Sequence, residues 1–294
     1  MHVKPYRSVL YMPSSNTRVL EKAKALDADA LVFDLEDAVA PTMKEDARQQ
    51  AVSAMMERKA YGHRQCVVRI NAWDSAWALD DVSAFSPFYL PDAFLLPKVS
   101  SPDVILDVAR FLDTLKVPQT VRIWAMIETP QALLALESIA RLSNIQESRL
   151  DALVIGTNDL AKETGMCLAG NREPLLPWLS VAVMTAKAYN LVILDGVYNQ
   201  FNDLDGYKKE CDQGRRYGFD GKTLIHPSQL ELANQIFAPS SDEIGNAEKI
   251  VAVFALPENS DKNVVAVEGQ MVERLHLESA KRILALANAI QKKS

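Results

Sequence analysis

The chain has 294 residues, 48% hydrophobic and 24% charged, with a mean hydropathy of −0.06, which is an ordinary globular composition long enough for one large domain or two smaller ones. Its 32 Lys and Arg against 38 Asp and Glu leave a net charge of −6 and a pI near 5.4, without a basic block, which argues against nucleic acid as its main partner. Cys66, Cys167 and Cys211 are widely spaced with no CxxC pair for zinc or redox exchange, no apolar run reaches the length of a membrane span, and MHVKPYRSV lacks the apolar core of a signal peptide; a soluble cytoplasmic protein is the expectation.

In chain order, residues 8–12 (SVLYM) make a short apolar run stopped by Pro13, after which Ser14, Ser15 and Asn16 offer caps for a helix to about residue 26. Residues 28–34 (ADALVFD) form the next buried run, which discharges into Leu35, Glu36 and Asp37 before a helical stretch at 44–57. Residues 66–71 (CVVRIN) repeat the form, with Arg69 and Asn71 where the strand should end. The run at 93–96 (AFLL) closes in Pro97 and Lys98, and Ser101 with Pro102 opens a helix. Two strands at 121–127 and 150–156 flank an amphipathic helical run, QALLALESIARL, at 131–142. Residues 191–194 (LVIL) then lead into Asp195 and Gly196, and 222–225 (KTLI) into His226 and Pro227.

Apolar runs buried on both faces and alternating with helices predict a parallel sheet. Eight of them, with neither a GxGxxG turn nor a P-loop, fit a closed (β/α)8 TIM barrel better than an open sheet; this predicts an α/β catalytic domain over residues 1–238. Beyond it the pattern changes. Ser240 to Glu243 reads as a capping box for a helix to about residue 254, residues 263–267 are β-like, Glu268 and Gly269 make a turn, and 271–290 is helical. Residues 239–294 are therefore expected to be a helical appendix, too small for a core of its own, that packs on the barrel or on a neighbouring subunit.

Charged and amide residues gather just beyond the strand ends: Asp34, Glu36 and Asp37, then Arg69 and Asn71, Lys98, Glu128, Asp159 and Asp195. In a TIM barrel that rim carries the active site. Glu128 and Asp159 are separated by about one strand–helix–strand crossover, so they emerge at neighbouring strand ends, where two oxygen ligands suit a Mg²⁺ otherwise held by water and substrate. The alternative is that each caps the helix that follows it. Arg69 would clamp a carboxylate or enolate oxygen, or pair with Asp34 or Glu36. Gly156, Thr157 and Asn158 form a turn whose backbone N–H groups would seat a carboxylate. Lys98 is either a Schiff-base lysine or, more simply, an ion-pair partner of the rim acids.

The motifs RSVLYMP, LVFDLEDAVAP, VVRINAWDS, LLPKVSS, MIETP, GTNDLAKE, ILDGVYN and GFDGKTLIHPSQ together resemble the citrate lyase β-subunit-like branch of the HpcH/HpaI aldolase family. That resemblance implies a Mg²⁺-dependent barrel acting on CoA thioesters such as citryl-, malyl- or citramalyl-CoA. It would cleave a C–C bond to acetyl-CoA and a 2-oxo acid, with the homo-oligomer a trimer or hexamer. It further implies that Glu128 and Asp159 are metal ligands and that Arg69 steadies the enolate. Glu36 and Asp37 would orient metal waters and Arg69, while Gly156 and Thr157 bind the substrate carboxylate. Two positions depart from the family pattern. Many members carry Asp in a C-terminal GxMxDxP, where this chain has Glu273 and no proline, so Glu273 would take the proton-handling role. Ser14 and Ser15 stand where many members have glycine. The C-terminus and GTNDLAKE look most like the (3S)-malyl-CoA thioesterase-like members, which end in hydrolysis instead.

Overall fold

The computed structural model describes residues 4–85, 87–168, 170–259 and 261–292. Eight strands, β1 (Ser8–Pro13), β2 (Ala30–Asp34), β3 (Gln65–Arg69), β4 (Ala93–Leu96), β5 (Arg122–Ile127), β6 (Leu150–Ile155), β7 (Val192–Asp195) and β8 (Gly221–Leu224), pair in parallel in that order and close through β8 on β1. The runs legible in the sequence are thus the staves of one barrel. Alternate side chains of each strand face inward. Tyr6, Val9, Val32, Val67, Leu95, Trp124, Met126, Val154 and Leu194 fill the interior, with Tyr11 and Val192 packed against them. At the closure, a Cβ on Gly221 would collide with the Tyr6 carbonyl oxygen, so glycine is what lets β8 approach β1.

The helical run expected over 131–142 is broken. Pro130–Leu134 and Leu136–Ala140 are separate helices, joined at Ala135 (φ −95, ψ 6). Thr129 caps the first by accepting the Ala132 N–H at 3.0 Å, with Pro130 at the first helical position.

Tyr6–Asn234 form one compact unit, and Gln235–Ser294 belong to a second. In the second, the helix Ser241–Phe254 starts from the expected box, Ser240 Oγ accepting the Glu243 N–H at 3.1 Å and Glu243 Oε2 the Ser240 N–H at 2.7 Å. Two strands follow, β9 (Val264–Val267) and β10 (Gln270–Glu273), and then the helix Arg274–Gln291. The residues at 271–273 are therefore strand and not helix. Glu268 (φ 50) and Gly269 (φ 80) are both left-handed, which is the turn that folds two strands into an antiparallel hairpin. Nor does the segment lack a core: Ala247, Ile250, Phe254, Val265, Val267, Val272, Leu277 and Ala280 form an apolar cluster of their own. Each helix gives one apolar face and the hairpin supplies the third wall, an element the helical reading left out.

Candidate active site

At the C-terminal rim, Asp34 and Arg69 are register partners on β2 and β3. Arg69 Nε and Nη2 donate to the two Asp34 oxygens at 2.7 and 2.6 Å, a planar two-bonded grip. The same carboxylate accepts the Glu36 and Ala38 backbone N–H groups at 2.9 and 3.2 Å. One buried acid thus sets both the guanidinium and the turn that carries Glu36 and Asp37. Arg69 Nη1 lies 2.9 Å from Glu36 Oε2 and 3.6 Å from Asp37 Oδ2. Burial opposes the charge on Arg69, but Asp34 outweighs it and holds the group firmly protonated. Burial likewise raises the Glu36 carboxyl, with Arg69 offsetting part of the effect. Although Glu36 Oε1 is 3.1 Å from Lys98 Nζ, neither Glu36 oxygen accepts a well-aligned hydrogen bond.

Glu128 follows β5 and lies against Gly156, which follows β6. A Cβ on Gly156 would overlap the Glu128 Cβ and Oε2. Glu128 Oε1 accepts the Lys98 backbone N–H at 2.7 Å, an amide aimed by a left-handed Lys98 (φ 52). That conformation is costly for lysine and typical of functional sites. Burial pushes the Glu128 carboxyl up to about 7. Asp159 stands in the first turn of the helix Thr157–Thr164. Neither acid fulfils the capping alternative: Thr129 is the cap after β5, and the later helix begins two residues before Asp159. Gly196 makes room for Thr157, since a Cβ there would lie 2.6 Å from Thr157 Cγ2.

Glu128, Asp159, Arg69, Asp37, Gly156, Thr157 and Asn158 together line one cleft of about 330 Å³, with Tyr11 and Met126 among its other walls, a size suited to a small ligand. Glu36 reaches it through its pairing with Arg69. Lys98 is an ion-pair partner, its charge favoured by Glu36 against the effect of burial. Glu273 belongs to the other unit, exposed at the start of the helix Arg274–Gln291, where its N–H donates to His276 Nδ1 at 2.9 Å.

Besides Glu36 and Lys98, Asn71 and Asp195 do not line the cleft. Asn71 is tied to Asp81 through its N–H and amide at 2.9 and 2.6 Å. Asp195 is fully buried, gripped by Arg172 at 2.7 and 2.9 Å and by Lys222 Nζ at 2.9 Å. Lys222 also meets Glu210 at 2.7 Å, so this is a neutral four-charge knot beneath the rim. The residues that sequence reasoning missed are Tyr11, Asp34 in its organising role, and Asn199, whose amide pairs with that of Asn158 at the cleft edge. For Tyr11 the signal existed: in strand parity it shares a face with Val9, which points into the barrel.

The family model described as HpcH/HpaI aldolase/citrate lyase matches residues 7–227. Over 97% of the chain and 96% of the relative, the sequence is 45% identical to a (3S)-malyl-CoA thioesterase of Cereibacter sphaeroides. It is 30% identical to the mitochondrial citramalyl-CoA lyase of Rattus norvegicus, over 98% of the chain and 88% of the relative. Among solved structures it resembles the protein CitE of Mycobacterium tuberculosis in complex with magnesium, acetoacetate and coenzyme A. That match has a TM-score of 0.76 and 25% identity, and covers 98% of this chain and all of the other. A barrel with this rim, matched from end to end by lyases and a thioesterase, makes the chain an enzyme of the HpcH/HpaI aldolase/citrate lyase family.

Proposed function

We propose that the protein is a Mg²⁺-dependent CoA-ester lyase. It cleaves the C–C bond of a 3-hydroxy-dicarboxylic acyl-CoA, of the malyl, citramalyl or citryl type, to acetyl-CoA and a 2-oxo acid. One observation carries the reading: two carboxylates and a firmly protonated arginine, from separate strand ends, converge on a single cleft over the barrel interior.

The residues fit the metal. Among the described residues no three or more His, Cys, Asp or Glu side chains cluster as a closed site, which suits a cation that keeps several waters and takes one or two protein carboxylates. Glu128 and Asp159 would hold it, and the buried Glu36 carboxylate, ion-paired with Arg69 and Lys98 but without a well-aligned hydrogen bond, would accept from waters in its shell. When bound, the cation supplies Lewis-acid polarisation of a substrate oxygen. Arg69, fixed by Asp34, faces the charge that develops on the thioester oxygen as the C2–C3 bond breaks. Glu36 and Asp37 keep Arg69 in register. In the Gly156–Thr157–Asn158 turn the Gly156 N–H is spent on the Ile127 carbonyl at 3.1 Å, and the Thr157 and Asn158 N–H groups, at the head of the helix Thr157–Thr164, are the ones offered to the distal carboxylate. Glu273 is the candidate proton carrier, supplied by the C-terminal unit within a homo-oligomer, a trimer or hexamer. Among the described residues no helix is long and apolar enough to cross a membrane, consistent with a cytoplasmic site of action.

A second reading is hydrolysis of the thioester, favoured by the 45% identity to a (3S)-malyl-CoA thioesterase. The same cleft serves it, because attack on the thioester carbonyl develops charge on the same oxygen. Mass-spectrometric product analysis with Mg²⁺ and malyl-, β-methylmalyl-, citramalyl- and citryl-CoA, offered separately, decides. Acetyl- or propionyl-CoA with a 2-oxo acid is the expected result. Free CoA with the intact hydroxy acid selects hydrolysis, and no product from any ester refutes both.

A further inference from the structure

Tyr11 lies on the inward face of β1, at the floor of the cleft. Its ring sits under the Arg69 guanidinium, 4.9 Å from centroid to Cζ, within cation–π range. A phenylalanine would fill the barrel and support Arg69 as well, so the hydroxyl needs a separate reason. Among the described residues its one hydrogen-bond contact is Met126 Sδ at 3.8 Å, and a thioether is a weak acceptor. Arg69 Nη1 points at the same sulfur from 3.9 Å. Two donors, one neutral and one cationic, thus converge on a flexible, polarisable side chain in the wall of the cleft. Arg69 Nη1 is already held by Glu36 Oε2 at 2.9 Å, but the half-buried Tyr11 hydroxyl has no oxygen or nitrogen acceptor among the described residues, and it opens on the cleft, where a ligand oxygen would supply one. Burial keeps the Tyr11 hydroxyl protonated, with Arg69 opposing and Glu128 reinforcing that effect.

We propose that Tyr11 is a catalytic residue: its O–H, together with Arg69 Nη1, binds the thioester carbonyl oxygen of the substrate, the Met126 side chain moving aside to admit it. The inference rests on the CoA-ester reading and holds for either outcome of it, because negative charge grows on that oxygen both when the C–C bond breaks and when water attacks. The hydroxyl stays protonated throughout. It donates a hydrogen bond that strengthens as the charge develops.

The test is Tyr11→Phe in the full chain, which removes one oxygen and keeps the ring beneath Arg69. With Mg²⁺ and an ester the unaltered protein turns over, kcat should fall about 10²-fold, the loss typical of deleting one oxyanion donor, with KM within about threefold. The melting temperature should hold within about 2 °C, since the lost protein contact is to a sulfur. Binding supplies a readout independent of turnover. By calorimetry, acetyl-CoA should bind the variant about three- to tenfold more weakly, while free CoA, which lacks the carbonyl, binds both proteins equally. An acetyl-CoA affinity unchanged by the substitution overturns the proposal whatever the turnover. A kcat within twofold of the unaltered protein overturns it too, as does a fall in kcat accompanied by equal weakening of CoA and acetyl-CoA. If the unaltered protein turns over no ester, the functional reading fails, and the acetyl-CoA and CoA pair still decides the role of Tyr11.

Discussion

Replacing Glu128 by glutamine should make the metal-free protein more stable while abolishing its activity. A glutamate in the unfolded chain ionises near 4.5, and Glu128 in the folded barrel near 7, because burial strips its water. At about 1.4 kcal/mol per pH unit, holding that carboxylate ionised costs the folded protein about 3 kcal/mol above pH 7. The sign follows from proton uptake. Between pH 7 and 4.5 the folded state carries the proton and the unfolded state does not, so stability rises as pH falls through that window, and the penalty is complete only above it. Glutamine keeps the Oε1 acceptor for the Lys98 N–H and carries no charge. In urea unfolding with EDTA, Glu128→Gln should gain about 3 kcal/mol at pH 8.5 and less than about 1 kcal/mol at pH 5. Added Mg²⁺ should then stabilise the unaltered protein alone, as a ligand of the folded state must. A variant no more stable at pH 8.5, or one whose gain is the same at both pH values, would refute the reasoning.

Gly156→Ala drives a methyl into the space of the Glu128 side chain. Circular dichroism should be unchanged, Mg²⁺ affinity should fall at least about tenfold and turnover about 10²-fold; retention of normal Mg²⁺ affinity would contradict the contact. Asp195→Asn leaves Arg172 and Lys222 buried with Glu210 as their one remaining carboxylate among the described residues. It should cost about 3–5 kcal/mol in urea unfolding, and a loss under about 1 kcal/mol would deny the knot its structural role. Thiol titration of the native protein should modify Cys167, which is exposed, and spare Cys66 and Cys211, which are buried; burial raises their thiols to about 12 and 11. Rapid reaction of all three without denaturant would contradict the packing.

The barrel was legible because its strands are buried on both faces and end abruptly in polar residues, so runs such as 66–71 mark their own boundaries. Glu128, Asp159 and Arg69 stand out as candidates for the same reason, each at or just beyond the end of a buried run: Arg69 closes β3, Glu128 follows β5 directly and Asp159 lies four residues past β6. What could not be read is which polar residue turns outward and which turns in. Asp195 and Glu128 look alike in sequence. Yet Asp195 is drawn under the rim by Arg172 and Lys222, cations from a loop and from the neighbouring strand β8, and no local pattern announces such a pairing. Asp34 was visible as a partner for Arg69, while its second task, folding the 35–38 turn, depends on backbone N–H groups that only the conformation brings together. In sequence Tyr11 is indistinguishable from its apolar neighbours in the run 8–12. In the C-terminal unit the apolar periodicity of 274–291 runs back through β10, so the strand is masked in sequence, and only the Glu268-Gly269 turn signals the hairpin.

On the proposed reading, one cleft framed by Glu128, Asp159 and Arg69 holds both the cation and the thioester. Anomalous diffraction from crystals grown with Mn²⁺ and acetyl-CoA tests it most directly. One strong peak is expected about 2.0–2.2 Å from oxygens of Glu128 and Asp159, with the acyl group lying between it and Arg69. A peak held by other residues, or an acyl group bound away from Arg69, would contradict it.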